Sequence, residues 1–76
     1  MKKLEFFGHI ADMLDVPESE IVDDSDLQGL GWDSLASVSF LGLVDEHFGV
    51  VVSPKKIAEC QRIVDLVSLV SEHIEP

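Results

Sequence analysis

The chain is 76 residues long, which suits one domain and leaves little room for a preorganised substrate cleft. Its 15 acidic residues against five basic ones give a formal net charge of −10, a field that excludes nucleic acid and disfavours anionic membrane surfaces. With one cysteine, Cys60, an intrachain disulfide is excluded and a reduced, cytoplasmic setting is expected.

The first predicted helix rests on Leu4, Phe7, Ile10, Ala11 and Leu14, spaced by three or four residues along one face. Asp15-Val16-Pro17 should end it, because the residue before a proline is pushed out of helical geometry. Glu5, His9 and Asp12 interrupt any apolar signal-like run, and no stretch is long enough to span a bilayer, so no stable membrane insertion is expected. Residues 15–33 show no sustained period. Val16, Ile21, Leu27 and Leu30 are apolar anchors that must pack a long acidic loop onto the helices.

A second helix should begin at Asp33 or Ser34, with Leu35, Val38, Leu41, Val44 and Phe48 as its apolar face and Gly49 as its left-handed end. Val50–Val52 is too brief for a sheet. Ser53-Pro54 reads as an N-cap and first helical position, opening a short third helix over about 54–60. The last helix, about 62–74, places Ile63, Leu66, Val67, Val70 and Ile74 on one face. The expected fold is all-α: a small four-helix bundle, three main helices and one short one, with a long first loop, in a single domain over 1–76.

The informative stretch is Leu27-Gln28-Gly29-Leu30-Gly31-Trp32-Asp33-Ser34-Leu35. Two glycines bring the backbone close before the helix. Asp33 is a good N-cap and Ser34 would be the first residue inside, exposed at the positive end of the helix dipole. A phosphodiester on its hydroxyl would be favoured by that field and by free N–H groups. Leu35 is expected to turn inward and anchor the turn.

On Leu30-Gly31, Asp33-Ser34-Leu35, the run of Val38, Leu41, Val44 and Phe48, the upstream Asp23-Asp24 and Leu27, and Ile63-Val64-Asp65-Leu66, the chain resembles the acyl carrier protein family over nearly its whole length. The resemblance implies that a phosphopantetheinyl transferase attaches phosphopantetheine, from coenzyme A, to Ser34 within the motif Asp33-Ser34-Leu35. It implies that the arm's thiol carries acyl groups as thioesters, and that the chain itself is not an enzyme. A tethered cargo has a raised local concentration at whichever enzyme the carrier meets. The implied partners are acyl-loading and acyl-transferring enzymes with basic docking patches, met by a monomeric carrier of lipid, polyketide or other specialised biosynthesis. A peptidyl, D-alanyl or aminoacyl carrier is the nearest alternative. An acidic interaction module without a prosthetic group is the alternative of a different class.

Fatty-acid-synthesis members of the family usually carry acids two and five positions after the motif serine; here Ala36 and Ser39 stand there. Both are expected on the exposed face of the second helix, which points to a dedicated pathway. Partner contacts are expected at Asp45 and Glu46, at Val38, and at Trp32, the only tryptophan. Lys55 and Lys56 are expected to be solvated, the alternatives being pairing with Asp24 or Asp26 or a partner contact.

No metal is expected. Asp24-Ser25-Asp26 imitates the start of a calcium-binding loop, but Leu35 stands where its bidentate glutamate belongs. His9, His47 and His73 are far apart and lack ligand spacing. Ser34 has no Gly-x-Ser-x-Gly context, and Cys60 reads as a small, partly buried hydrophobe.

Overall fold

A computed structural model describes residues 1–75. The order is α1 (Lys3–Leu14), a 3₁₀ turn at Glu18–Glu20, α2 (Ser34–Phe48), α3 (Pro54–Ala58), α4 (Ile63–Leu69) and a 3₁₀ turn at Ser71–His73. The four α-helices form the expected small all-α bundle, with the long loop between α1 and α2.

Local chemistry sets most helix ends. Asp15 adopts left-handed geometry (φ 57°) after α1, and its N–H returns to the Ala11 and Asp12 carbonyls. Gly49 does the same after α2 (φ 65°), donating to the Asp45 carbonyl. The Ser53 side chain accepts from the Lys55 N–H at 3.2 Å, and Pro54 fills the first helical position of α3.

The core is aliphatic around aromatic rings. Phe6 and Ile10 of α1, Phe40 and Val44 of α2, Ile57 of α3, and Ile63 and Leu66 of α4 are fully enclosed. Phe6 and Phe40 meet edge to face with centroids 6.1 Å apart. In the loop, Ile21 and Leu27 are buried, while Val16 and Leu30 pack partly against the core. Those anchors let a long loop remain ordered. Lys3 of α1 adds an ion pair to Asp23 at 2.8 Å, and Leu27 N–H donates to the Gln61 carbonyl at 2.9 Å.

Phe7, Ile10 and Ala11 of α1 and Ile63, Leu66 and Val70 at the last helix are buried as expected, but the faces of α1 and α2 differ in part from the expected ones. In α1, Phe6 is in the core and Leu4 is 79% exposed. In α2 the inward stripe is Ala36, Phe40 and Val44; Leu35 is 72% and Val38 64% exposed, and Leu41 is only half-buried. α2 is apolar on nearly every side, so two stripes satisfy the helical period. Phe40 decides between them, because burying a ring on Phe6 removes more apolar surface than burying Leu35 or Val38.

α3 and α4 are shorter than expected. α4 stops at Leu69, and Ile74 is extended (φ −110°, ψ 123°). There the chain pairs with the other terminus: Glu75 N–H donates to the Met1 carbonyl at 2.8 Å and Lys3 N–H to the Glu75 carbonyl at 3.1 Å. Among the described residues no helix is long and apolar enough to cross a membrane.

Candidate functional site

The loop before α2 closes as a tight coil. Leu30 N–H donates to the Asp26 and Leu27 carbonyls, Gly31 N–H to Gln28, and Trp32 N–H to Leu27 at 3.0 Å. Gly31 sits at φ 87°, where an L side chain would be strained. This coil delivers Asp33, in extended geometry, to the head of α2. The Asp33 carboxylate accepts from the Ala36 N–H at 2.8 Å, satisfying one of the free donors of the first turn.

Ser34 is the first residue of α2 and is exposed. Its hydroxyl makes no hydrogen bond among the described residues. Ser37, one turn on, contrasts with it: its hydroxyl donates to the Asp33 carbonyl at 3.3 Å and accepts from the Trp32 indole N–H at 3.1 Å. Trp32 is half-buried, edge-on to Phe40 at 5.9 Å. The indole therefore fixes the entry of the loop into the helix.

The other expected site residues separate into two groups. Leu35 and Val38 share the exposed side of α2 with Ser34; the inward anchoring expected of Leu35 is done by Ala36 and Phe40 instead. Asp45 and Glu46 are exposed but lie at the other end of α2, about 16 Å along the axis from Ser34. Ser39 is exposed as expected, whereas Ala36 is 7% exposed and belongs to the inward stripe. Val51, 89% exposed beside α2, was not marked by its sequence context, because a three-valine run reads equally as core.

Lys55 and Lys56 are both exposed and make no ion pair among the described residues, the solvated arrangement expected of them, while Asp24 lies 3.8 Å from the Arg62 guanidinium. The three histidines, distant in sequence, gather at the end of the bundle opposite Ser34. His9 and His47 have ring centroids 4.5 Å apart, and His73 stacks on Phe48 at 5.0 Å. No group of three or more His, Cys, Asp or Glu is placed to hold a metal among the described residues. Cys60 is half-buried, its thiol 3.4 Å from the Lys56 carbonyl. Burial, then the charges of Asp65 and Glu59, push its pKa up, so the thiol is held in its less nucleophilic form.

Residues 6–70 match the family model described as the phosphopantetheine attachment site. The chain belongs to that family. It is a carrier protein bearing covalently attached phosphopantetheine. Carriers of this kind interact with a phosphopantetheinyl transferase and with partner enzymes. No solved structure matches the carrier.

Proposed function

We propose that Ser34 bears the phosphopantetheine arm and that the carrier, a single domain over residues 1–76, delivers acyl groups to partner enzymes without catalysing bond formation itself. One observation carries the assignment: the Ser34 hydroxyl is exposed and unengaged at the head of a capped helix, while the neighbouring Ser37 hydroxyl is occupied on both sides. The residues fit the group. Asp33 is committed to the Ala36 N–H and so leaves the serine free, and the first-turn N–H groups favour a phosphodiester.

When bound, the arm supplies a terminal thiol on a long flexible tether. The chain's own residues do the rest. The Trp32–Ser37 bond and the Asp33 cap hold the attachment point rigid on α2. Leu35 and Val38, exposed beside Ser34, offer apolar contact to a docking enzyme, with Trp32 at the loop edge. Asp45 and Glu46 supply charge farther along α2 for attraction to basic patches. Ser39, exposed on α2 where fatty-acid-synthesis members usually carry an acid, supports a dedicated lipid, polyketide or other specialised pathway in the cytoplasm.

Incubation with coenzyme A and a broad-specificity transferase is expected to add one arm to the wild type and none to Ser34→Ala, read by intact mass. Modification persisting in Ser34→Ala would overturn the assignment.

A further inference from the structure

A hollow of about 200 Å³ opens between the end of α1 and the start of α2. Met13 and Leu14 form its α1 wall, and Leu35, Ala36 and Ser39 its α2 wall. Asp33 lines it too, so both chain neighbours of Ser34 belong to this hollow. Met13 and Leu14 are half-buried against the core, Leu35 is 72% exposed, and Ser39 is exposed. A cavity of about 150 Å³ can hold a benzene ring, so this one has room for a single branched or aromatic side chain.

The surroundings are acidic. Asp12 and Asp15, both exposed, flank Met13 and Leu14 in the chain. The Asp33 carboxylate uses Oδ1 to accept from the Ala36 N–H, and its other oxygen has no partner among the described residues. The ion pairs of the described residues, Lys3 with Asp23 and Arg62 with Asp24, leave these three carboxylates without a cation. The sequence has no Lys or Arg between Lys3 and Lys55, so no neighbour in the chain neutralises them. What suits the place is an apolar side chain with Lys or Arg beside it. The first would remove the apolar surface of Met13, Leu14 and Leu35 from water, and the second would meet the carboxylates.

The chemistry at Ser34 selects the partner. Attaching the arm joins the Ser34 oxygen to the phosphorus on the phosphopantetheine half of coenzyme A. The pyrophosphate bond breaks, the adenosine half leaves as its bisphosphate, and the serine proton passes to a base of the transferase. The transferase must therefore hold coenzyme A within bonding reach of the hydroxyl. In doing so it covers Asp33 and Leu35, which line the hollow. Acyl-loading and acyl-transferring enzymes work at the thiol, on the far end of the tether, and have no need to cover its root.

We propose that the hollow between α1 and α2 is a docking site for the phosphopantetheinyl transferase, filled by one apolar side chain of that enzyme with cationic side chains around it. The proposal rests on Ser34 being the attachment residue. It makes Met13 of α1 and Ser39 at the rim specificity-determining residues for arm attachment, although neither lies in the motif around Ser34.

The test uses the carrier before its arm is added, a broad-specificity transferase and coenzyme A. Met13→Ala takes away the α1 wall, and Ser39→Phe fills the hollow from an exposed position of α2. Each is expected to raise KM for the carrier about tenfold and to leave kcat unchanged, as lost docking does and lost chemistry does not. Calorimetry should show the same weakening when either change is added to Ser34→Ala, a carrier that can bind the enzyme but not react. Leu4→Ala removes an exposed leucine from the other end of α1 and should alter neither quantity. Asp12→Asn with Asp15→Asn should weaken binding at low salt and change little at high salt. Trp32 emission checks that each variant is folded; should Met13→Ala unfold, Ser39→Phe decides alone. Unchanged KM and affinity, a loss confined to kcat, or an equal loss in Leu4→Ala overturns the docking site while leaving Ser34 as the attachment residue. A loss in the double asparagine variant that is absent at low salt or persists at high salt overturns the cationic surround. Absence of any mass increase, or one that survives Ser34→Ala, overturns the attachment reading and the docking proposal with it.

Discussion

The indole nitrogen of Trp32 donates to the hydroxyl of Ser37 at 3.1 Å, bridging the loop to the first turn of the helix that Ser34 opens. The same hydroxyl bonds to the Asp33 carbonyl, so one serine ties together the residue before the cap and the cap itself. Ser34 lies between these partners and is left free. Rigidity and availability at the site thus come from two neighbouring serines with different jobs.

Ser37→Ala removes the acceptor of that bond and leaves the half-buried indole N–H without it. A loss of about 0.5–1.5 kcal/mol is expected from denaturant midpoints. Trp32 emission should move toward that of a more mobile indole, while Ser34 still accepts an arm. Unchanged emission would show that Phe40 alone holds the ring.

The inward stripe of α2 is tested by comparing Phe40→Ala with Leu41→Ala. Phe40 is fully buried between Phe6 and Trp32, and its truncation should cost about 3–5 kcal/mol. That approaches the whole stability of a small domain, so the variant is expected to be largely unfolded. Leu41, half-buried, should cost distinctly less. Equal losses would place the helix in a different rotation.

Acid should weaken the start of α4 through Asp65. Its carboxylate accepts from the N–H groups of Gln61 at 2.9 Å and Arg62 at 3.0 Å, and these bonds hold its pKa below the ordinary carboxylate range. A lowered folded pKa means that the contribution is present above the unfolded value, near about 4, and is lost as pH falls through the folded one. Asp65→Asn should therefore lower stability at neutral pH and flatten this part of the acid dependence. A wild-type acid transition unaltered by the substitution would remove Asp65 from the account.

Charge at the far end of α2 should act on association rather than on dissociation. Neutralising Asp45 and Glu46 together, as Asp45→Asn with Glu46→Gln, is expected to slow association with a partner enzyme at low salt and to change little at high salt. Each exposed pair is worth only about 0–1 kcal/mol, so the dissociation rate should barely move. Ser39→Glu, on the exposed side, should speed association with a generic fatty-acid synthase enzyme. Ala36→Asp is unsuited to the same purpose, because Ala36 faces the core and a carboxylate there would be desolvated.

What the sequence by itself determined is what depends on neighbours along the chain. The Asp33 cap, the Ser53-Pro54 start and the left-handed Gly49 are one-turn hydrogen-bonding problems, solved by residues within a few positions of each other. So too were the loop anchors Ile21 and Leu27, since an acidic loop offers few other apolar groups to bury. The tertiary structure decided everything that compares equivalent local choices. α2 carries two apolar stripes of the same period, and only the fit of Phe40 against Phe6 selects one, exposing Leu35 and Val38 beside Ser34. α4 could run on to residue 74, but pairing of Glu75 with Met1 and Lys3 draws the chain out of the helix. The approach of His9 to His47, and of the Asp26 loop to Gln61, joins segments separated by dozens of residues. Those contacts follow from how whole helices pack, a long-range outcome that no local period encodes.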